Sequence, residues 1–415
     1  MDEVFHTCTL PCGMRLLHLP SPTDVAYCGM AIDAGTRDEP PGQWGLAHFV
    51  EHGLFKGTRR HRAWHILNRM EAVGGDLNAY TSKEETMVHA AFMREHLPRA
   101  VELVMDVVFN STFPQAEMDR EREVIVEEID SYRDNPAELI YDEFENILFA
   151  GHPLGHDILG QAADVRTYGT EHALDFTRRL YRPERMVFFV MGNYAPEYVR
   201  RVVERAAPAA TAPPPEGEGT ARAAAPVGRS ETGGTVVARD MHTHQAHVML
   251  GCRAYGSNDE RRIALYFLNN ILGGPGMNSR LNLALRERRG LVYTVESTLA
   301  NYTDTAAFSI YFGCDAGDVD RCLRLVHREL KALMEQPLSP RQFGAALRQV
   351  RGQIGVCCDN FETYVLDIAK SFLHYKKAEG ASSMLAHLGN LTPELLQQVA
   401  RELFPPENLT TLVYR

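Results

Sequence analysis

The two halves of the 415-residue chain align through one pair of segments, residues 115–129, QAEMDREREVIVEEI, and residues 340–354, PRQFGAALRQVRGQI. Both stretches have helical periodicity, and the strand-like and helical patterns around them follow a similar order in each half. This similarity indicates a duplicated unit in which helices cover a sheet. Because short turns join neighbouring strand patterns, we predict mostly antiparallel sheets and an α+β fold.

A stretch rich in Ala, Pro and Gly separates the two halves. Residues 207–234 contain no aromatic side chain, and their composition is typical of a linker. We therefore predict an N-terminal domain over residues 1–206, the linker over 207–234, and a C-terminal domain of similar pattern over 235–415. Both halves are of ordinary domain size.

The composition is that of a soluble globular protein, with 45% hydrophobic residues and a net charge of −11. The acidic balance argues against a general nucleic-acid binder. No apolar run approaches the roughly 20 residues that span a bilayer, and the first residues do not have the pattern of a signal peptide. The eight cysteines are scattered, so we expect reduced thiols and a cytoplasmic protein. Cys357 and Cys358 are expected to be buried rather than a redox pair.

The stretch HFVEHGLFKGT, residues 48–58, contains a candidate metal site. His48 and His52 are four residues apart, so they share one face of a helix. Two imidazoles and a carboxylate suit zinc, which lowers the pKa of a water molecule in its fourth position. Glu51 borders the same face and can serve as general base. The alternative is an amphipathic helix with solvated or core histidines.

A third ligand can come from the acidic helical pattern over residues 119–134. Glu121, Val124, Ile125 and Glu128 follow the i, i+3, i+4, i+7 rule and share a predicted inward face. Buried carboxylates are costly without partners, and a metal ion bound by Glu128 offsets that cost. Glu121 can then orient His52 or Glu128. The alternative is an acidic helix that faces solvent.

These motifs together resemble the pitrilysin family of zinc peptidases, the inverzincins, which include insulin-degrading enzyme and the mitochondrial processing peptidase. The resemblance extends over nearly the whole chain. It is carried in family order by residues 35–58, GTRDEPPGQWGLAHFVEHGLFKGT; 74–90, GGDLNAYTSKEETMVHA; 120–129, REREVIVEEI; 151–160, GHPLGHDILG; and 273–297, GGPGMNSRLNLALRERRGLVYTVES. It implies one zinc ion per chain, held by His48, His52 and Glu128. Glu51 is then the general base, and Glu121 a supporting acid.

The same resemblance implies residues that bind the substrate. NAYTS, residues 78–82, resembles the edge strand of the family, to which an extended peptide adds through the backbone of Asn78 and Ala79. Arg286 and Tyr293 match an Arg/Tyr pair that reaches the substrate from the second unit. Arg286 would bind a substrate carbonyl, and Tyr293 would donate a hydrogen bond to the oxyanion.

The second half has no His-x-x-Glu-His motif, and the repeat places FLNNILGG at that position. This predicts a single zinc site per chain. A second cluster could form in HTHQAH from His242, His244 and His247, if the first two lie on one side of a strand. A strand edge near the linker is the preferred interpretation.

The two-unit length resembles that of the processing-peptidase subunits. It implies a dimer that encloses a chamber, with zinc from one chain and the Arg/Tyr pair from the other. Since this chain has both sets, we predict a homodimer with active sites completed across the interface, and no nucleic-acid or membrane partner. The predicted function is a zinc metalloendopeptidase that hydrolyses peptides or unfolded segments. The alternatives are one subunit of a heterodimeric processing peptidase and a non-catalytic scaffold.

Overall fold

The computed structural model describes residues 4–209 and 232–415. Most of the predicted linker, residues 210–231, lies outside the described residues. The described chain forms two compact units. The first unit contains residues 4–130, 157–209 and 357–382, and the second contains residues 131–156, 232–356 and 383–415.

The elements alternate between short strands and longer helices. The strands are β1 (His6–Thr9), β2 (Arg15–Pro20), β3 (Val25–Ile32), β4 (Asp76–Thr81), β5 (Thr86–Met93), β6 (Met186–Gly192), β7 (Val236–Arg239), β8 (Ala246–Tyr255), β9 (Val292–Asn301), β10 (Thr305–Cys314) and β11 (Thr410–Tyr414). The helices are α1 (Leu46–Leu54), α2 (Ala63–Glu71), α3 (Leu97–Asn110), α4 (Gln115–Arg133), α5 (Pro136–Leu148), α6 (Ala162–Val165), α7 (Thr170–Leu180), α8 (Pro196–Ala206), α9 (Arg261–Gly273), α10 (Val319–Glu335), α11 (Pro340–Cys357), α12 (Phe361–Tyr375), α13 (Ala381–Leu388) and α14 (Pro393–Leu403). A short π-helix spans Asn282–Glu287, and short 3₁₀ turns span Thr36–Asp38, Arg94–His96, Pro183–Arg185, Ala316–Asp318 and Pro406–Asn408.

Each unit is built on one mostly antiparallel sheet, as the sequence predicts. The strand order of the first sheet is β1-β2-β6-β3-β5-β4, and that of the second is β7-β11-β8-β10-β9. Among the described strands, β2 and β6 are the one parallel pair of the first sheet, and β7 and β11 are the one parallel pair of the second. The predicted α+β class, with two similar domains whose sheets are covered by helices, is confirmed.

Helices cover both faces of the first sheet. Along β6 every residue is buried, and the sequence MVFFVMG therefore shows no polar alternation. The buried core on one face includes α1 and α3, and α12 covers the other face with Val365, Ile368 and Phe372 among its contacts.

The helix on that second face comes from the other half of the sequence. α12 follows most of the second unit along the chain but packs on the first sheet, through β2, β3 and β6. Conversely, α5 comes from the first half and packs on β8, β10 and β11 of the second sheet. Each half of the sequence therefore supplies a helix to the core of the other half's sheet. Because apolar burial is the main favourable term in folding, neither half contains all the residues that stabilise its own sheet.

Three sequence-based expectations are wrong. Val124 is 48% exposed, because the buried face of α4 is centred on Ile125 and Ile129 and Val124 lies beyond its rim. Cys357 is exposed at the end of α11. His242 lies in a loop before β8 and is exposed, so it does not share a strand with its neighbours.

No helix within residues 4–209 and 232–415 combines the length and the apolar character needed to cross a membrane.

Candidate metal centre

The helix α1 places the two motif histidines beside each other. Its apolar residues Phe49, Val50 and Leu54 are fully buried in the core of the first unit. This orientation brings His48 and His52 to one face of the helix, with their ring centroids 4.6 Å apart. The core packing of α1 therefore determines where the two imidazoles point.

Glu128 of α4 meets both histidines. Its Oε2 atom is 3.8 Å from His48 Nε2 and 3.5 Å from His52 Nε2. One ligand atom from each of the three side chains lies within 4.8 Å of the others, and no other such group of His, Cys, Asp or Glu occurs in the described residues. Two imidazole nitrogens and one carboxylate oxygen are the donor set of a zinc site that leaves one position open. The residues present therefore fit the implied zinc ion.

The exposed fractions of the three side chains differ. His48 is buried, His52 is partly buried, and the Glu128 side chain is 44% exposed. Glu128 is thus less buried than the sequence predicts, because it lies at the rim of the inward face of α4. Burial and the neighbouring His52 lower the pKa of His48 to about 3. At neutral pH His48 is therefore in the neutral form that binds a metal.

Glu121, one of the residues predicted on α4, contacts His52 from the other side of the ring. Its Oε2 atom is 3.1 Å from His52 Nδ1, and its Oε1 atom is 2.7 Å from the ammonium nitrogen of Lys56. Burial would raise the pKa of Glu121, but the hydrogen bonds from His52 and Lys56 outweigh burial and lower it. An ionised Glu121 accepts the Nδ1 proton of His52, which leaves Nε2 free for a metal.

Glu51 lies next to the three ligands without being one of them. Burial raises the pKa of Glu51, and the nearby Glu128 acts in the same direction. Thr81, the last residue of β4, lies beside the Glu51 carboxylate and acts to lower its pKa, as does the nearby His52. The carboxylate therefore lies beside a residue of β4, close to the point where the three candidate ligands converge.

The strand β4 is an edge strand of the first sheet, because it pairs with β5 alone among the described strands. Asn78 and Ala79 lie in its middle, opposite His89 and Val88. The N–H of Ala79 donates to Oδ1 of Asn78 at 2.9 Å rather than to β5. The backbone of β4 thus presents an open edge on the strand that ends at Thr81.

Arg286 and Tyr293 lie together in the second unit. Arg286 is in the π-helix Asn282–Glu287, and its guanidinium carbon is 5.6 Å from the centre of the Tyr293 ring. Tyr293 is 81% exposed on β9. The structure therefore brings the predicted Arg/Tyr pair together, on a different unit from the three ligands.

The second unit has an amide pair in the corresponding place. Gln353 of α11 lies over Glu128 in the alignment of residues 115–129 with 340–354. Its side-chain oxygen accepts a hydrogen bond of 2.7 Å from the Asn270 amide of α9. Neither amide is a zinc ligand of the kind found in protein sites. Among the described residues, the alternative cluster of His242, His244 and His247 does not form a group of converging ligand atoms, and His247 Nδ1 instead lies 2.8 Å from the Tyr311 hydroxyl.

Sequence reasoning missed Lys56 and Thr81. Both are within the quoted motifs, but their roles depend on partners distant in the chain. Lys56 is four residues after His52, a spacing that could have suggested a place beside that ligand. Nothing local singles out Thr81.

Comparison with known proteins agrees with this geometry. Residues 16–162 match the family model described as insulinase (peptidase family M16), and residues 170–350 match the model described as the peptidase M16 inactive domain. The chain belongs to peptidase family M16. An uncharacterized zinc protease of Streptomyces coelicolor is 35% identical over 406 residues, which cover 95% of this chain and 86% of that protein. The uncharacterized zinc protease YmxG of Bacillus subtilis is 29% identical, with 97% of this chain and 96% of that protein covered.

Solved structures share the fold over the full length. A protease from Helicobacter pylori has a TM-score of 0.90 at 22% identity and covers 100% of this chain and 99% of its own. A protein from Pseudomonas fluorescens described as a peptidase M16 inactive domain has a TM-score of 0.87 at 18% identity, with 99% and 97% covered. The M16 peptidase fold is therefore present in both units.

Proposed function

We propose that this M16 chain is a zinc metalloendopeptidase that hydrolyses peptides or unfolded segments. The observation that carries the proposal is the convergence of His48, His52 and Glu128, with Glu51 beside them and not among the ligands. A scaffold protein would need none of these four side chains in this arrangement. Fold similarity alone would not support an activity, so the proposal rests on the site.

Zinc, when bound by the three ligands, would lower the pKa of a water molecule and polarise the substrate carbonyl. Glu51 takes the proton of the attacking water and passes it to the leaving amine. Thr81 lies beside the Glu51 carboxylate and favours its charged form, which is the form that accepts the proton. Glu121, which is itself paired with Lys56, holds the ring of His52.

The substrate would bind as an added strand on the open edge of β4. Main-chain hydrogen bonds from Asn78 and Ala79 would hold an extended peptide, and such contacts tolerate varied side chains. Because Thr81 ends the same strand and contacts Glu51, a peptide on β4 would lie alongside the general base. This arrangement favours flexible peptides over folded proteins, whose backbone is already paired.

Arg286 and Tyr293 would complete the site from a second chain in a homodimer. Arg286 offers a rigid fork of donors for a substrate carbonyl, and the exposed hydroxyl of Tyr293 can donate to the developing oxyanion. Each chain has both sets of residues, so a homodimer would hold two complete sites.

The test is hydrolysis of a quenched-fluorescent peptide of about 10–20 residues, long enough to bind as an added strand. Cleavage should be lost with a chelator, return with zinc, and be lost in Glu51→Gln. Glu123→Gln, an exposed acid on α4, is the matched control and should cleave normally. A zinc-loaded wild type that cleaves no peptide would shift the interpretation to a heterodimer subunit, and one that binds no zinc would favour a scaffold.

The homodimer is tested by mixing two inactive variants. Glu51→Gln chains lack the base and Tyr293→Phe chains lack the oxyanion donor, so a mixture can form one intact site in each mixed dimer. Recovered activity supports sites completed across the interface. A mixture as inactive as its components would contradict it.

A further inference from the structure

Four charged residues are buried together near the start of α1. Arg37 and Glu39 come from GTRDE, residues 35–39, and Lys83 and Glu84 come from the turn between β4 and β5; the exposed fraction of each is 6% or less. Arg37 donates to Glu84 at 2.7 Å through its side chain and to the Lys83 carbonyl at 2.8 Å through its backbone N–H. We name these four residues the buried cluster. Both of its segments are motifs of the sequence that the proposed mechanism does not use.

Glu39 connects the buried cluster to α1. Its two carboxylate oxygens accept hydrogen bonds from the backbone N–H groups of Gly45, at 3.0 Å, and Ala47, at 2.7 Å. The first N–H groups of a helix have no partner within the helix and need an acceptor from elsewhere. His48 directly follows Ala47, so the first metal ligand lies in the turn that Glu39 caps.

The residue that precedes α1 cannot provide this cap itself. Gly45 has a φ of +87°, a conformation that favours glycine. A Cβ atom at this position would lie 2.5 Å from the carbonyl oxygen of Leu159. The usual capping residues Ser, Thr, Asp and Asn are therefore excluded at position 45. Glu39, from the preceding loop, supplies both acceptors instead.

Burial opposes the charge of Glu39, and its neighbours offset only part of that effect. Burial raises the pKa of Glu39 well above its ordinary value, although the hydrogen bonds from Ala47 and Gly45 and the nearby Lys83 act in the opposite direction. The partial positive charge of a helix N-terminus also favours a carboxylate there. If the carboxylate were removed, two buried N–H groups would lose their acceptors.

We propose that Glu39 is a positioning residue for the metal site, which anchors the first turn of α1 and so holds His48 in place to bind zinc. The inference rests on the proposed zinc site but not on peptidase activity. Glu39 acts through α1 and does not itself contact the three ligands.

The test compares two isosteric changes within the buried cluster. Glu39→Gln keeps the size of the side chain but offers one acceptor oxygen instead of two, and its NH₂ group would face an N–H donor. Glu84→Gln is the matched control, because it removes a buried acid that pairs with Arg37. Glu39→Asp keeps both oxygens on a shorter side chain and is the conservative variant.

Two measurements separate positioning from general stability. The zinc dissociation constant is measured by competition with a chromophoric chelator. Hydrogen exchange of the metal-free protein reports on the first turn of α1, where the Phe49 N–H donates to the Gly45 carbonyl at 3.0 Å. We expect Glu39→Gln to weaken zinc binding by about 10-fold, the lower end of the range for residues that support metal ligands, and to speed exchange at Phe49. Glu39→Asp should give a smaller loss, and Glu84→Gln should change neither quantity.

Zinc affinity equal to that of the wild type in Glu39→Gln would overturn the inference. An equal loss of zinc affinity in Glu84→Gln would also overturn it, because such a loss would indicate general destabilisation. These outcomes are separate from failure of the proposed function. A wild type that binds zinc and cleaves nothing removes the peptidase proposal alone, whereas unchanged zinc binding in Glu39→Gln removes this inference alone.

Discussion

Replacement of Glu85 by Gln should destabilise the first unit in a pH-dependent way. Glu85 follows the buried cluster in the turn before β5 and is 1% exposed. Its carboxylate accepts hydrogen bonds from Lys370 at 2.6 Å and from His374 at 3.0 Å, both on α12. These contacts connect α12 to the sheet that contains β4. Glu85→Gln keeps the shape of the side chain and removes its charge.

The expected loss of unfolding free energy follows from the pKa of Glu85. Burial alone would raise it, but the bonds from His374 and Lys370 outweigh burial and lower the pKa from 4.5 to about 2. At about 1.4 kcal/mol per pH unit, this difference corresponds to about 3 kcal/mol of stability in the folded state. Because the folded pKa is below the unfolded one, this stabilisation is complete above pH 4.5 and is lost as the pH falls toward 2. A similar cost is expected when one partner of a buried ion pair is removed.

The assay is urea unfolding followed by tryptophan fluorescence. The chain has two tryptophans, Trp44 and Trp64, and both lie in the first unit, so the signal reports that unit. Glu85→Gln should lower the unfolding free energy by about 3 kcal/mol from pH 7 to pH 5, and the difference from wild type should shrink below pH 4.5. Glu95→Gln, an exposed acid, is the control and should change stability by less than about 0.5 kcal/mol. A difference that stays constant down to pH 3.5, or one near zero at pH 7, would refute the reasoning.

Three further predictions concern the metal centre and the Arg/Tyr pair. Gly53→Ala should lower the free energy of unfolding in urea by about 1–3 kcal/mol, because its Cβ would lie 2.6 Å from the Phe113 ring and displace α1. Unchanged stability would show that the ring moves aside freely. Glu121→Gln should weaken zinc binding by about 10–100-fold in chelator competition, because it removes the charged acceptor of His52; full affinity would mean that His52 is held by other contacts. Tyr293→Phe should lower kcat by about 100-fold while zinc affinity is unchanged, as expected when one oxyanion donor is lost; a normal kcat would contradict its proposed role.

Local patterns were enough to predict the helix that contains His48 and His52 and the helical stretches over residues 115–129 and 340–354. The spacing of His48 and His52 predicted a shared face on a helix that the structure places at Leu46–Leu54. The failures occur where a local pattern has two interpretations. Val124 fits the i, i+3 spacing from Glu121 but is exposed, because the periodicity alone does not say where the buried face of α4 is centred.

The sequence by itself predicted the fold class and the duplication from the order of patterns in the two halves, and it predicted two candidate ligands and a candidate base within HFVEHGLFKGT from residues a few positions apart. It also marked Glu128 as a ligand through resemblance to a known family. The tertiary structure decided which side chains surround those residues. Lys56 pairs with Glu121, Thr81 lies beside Glu51, and Glu39 caps α1 across a glycine whose backbone excludes the usual capping residues.

Only the tertiary structure shows that α5 and α12 each pack on the sheet formed by the other half of the sequence. Each of these helices has an ordinary amphipathic pattern, and nothing in that pattern says which sheet it covers. The choice is made by long-range contacts, such as those of Glu85 with Lys370 and His374 on α12. Glu85 and Lys370 are 285 positions apart, and they meet because burial of the apolar faces of the sheets is favourable. No local sequence pattern indicates such a pairing.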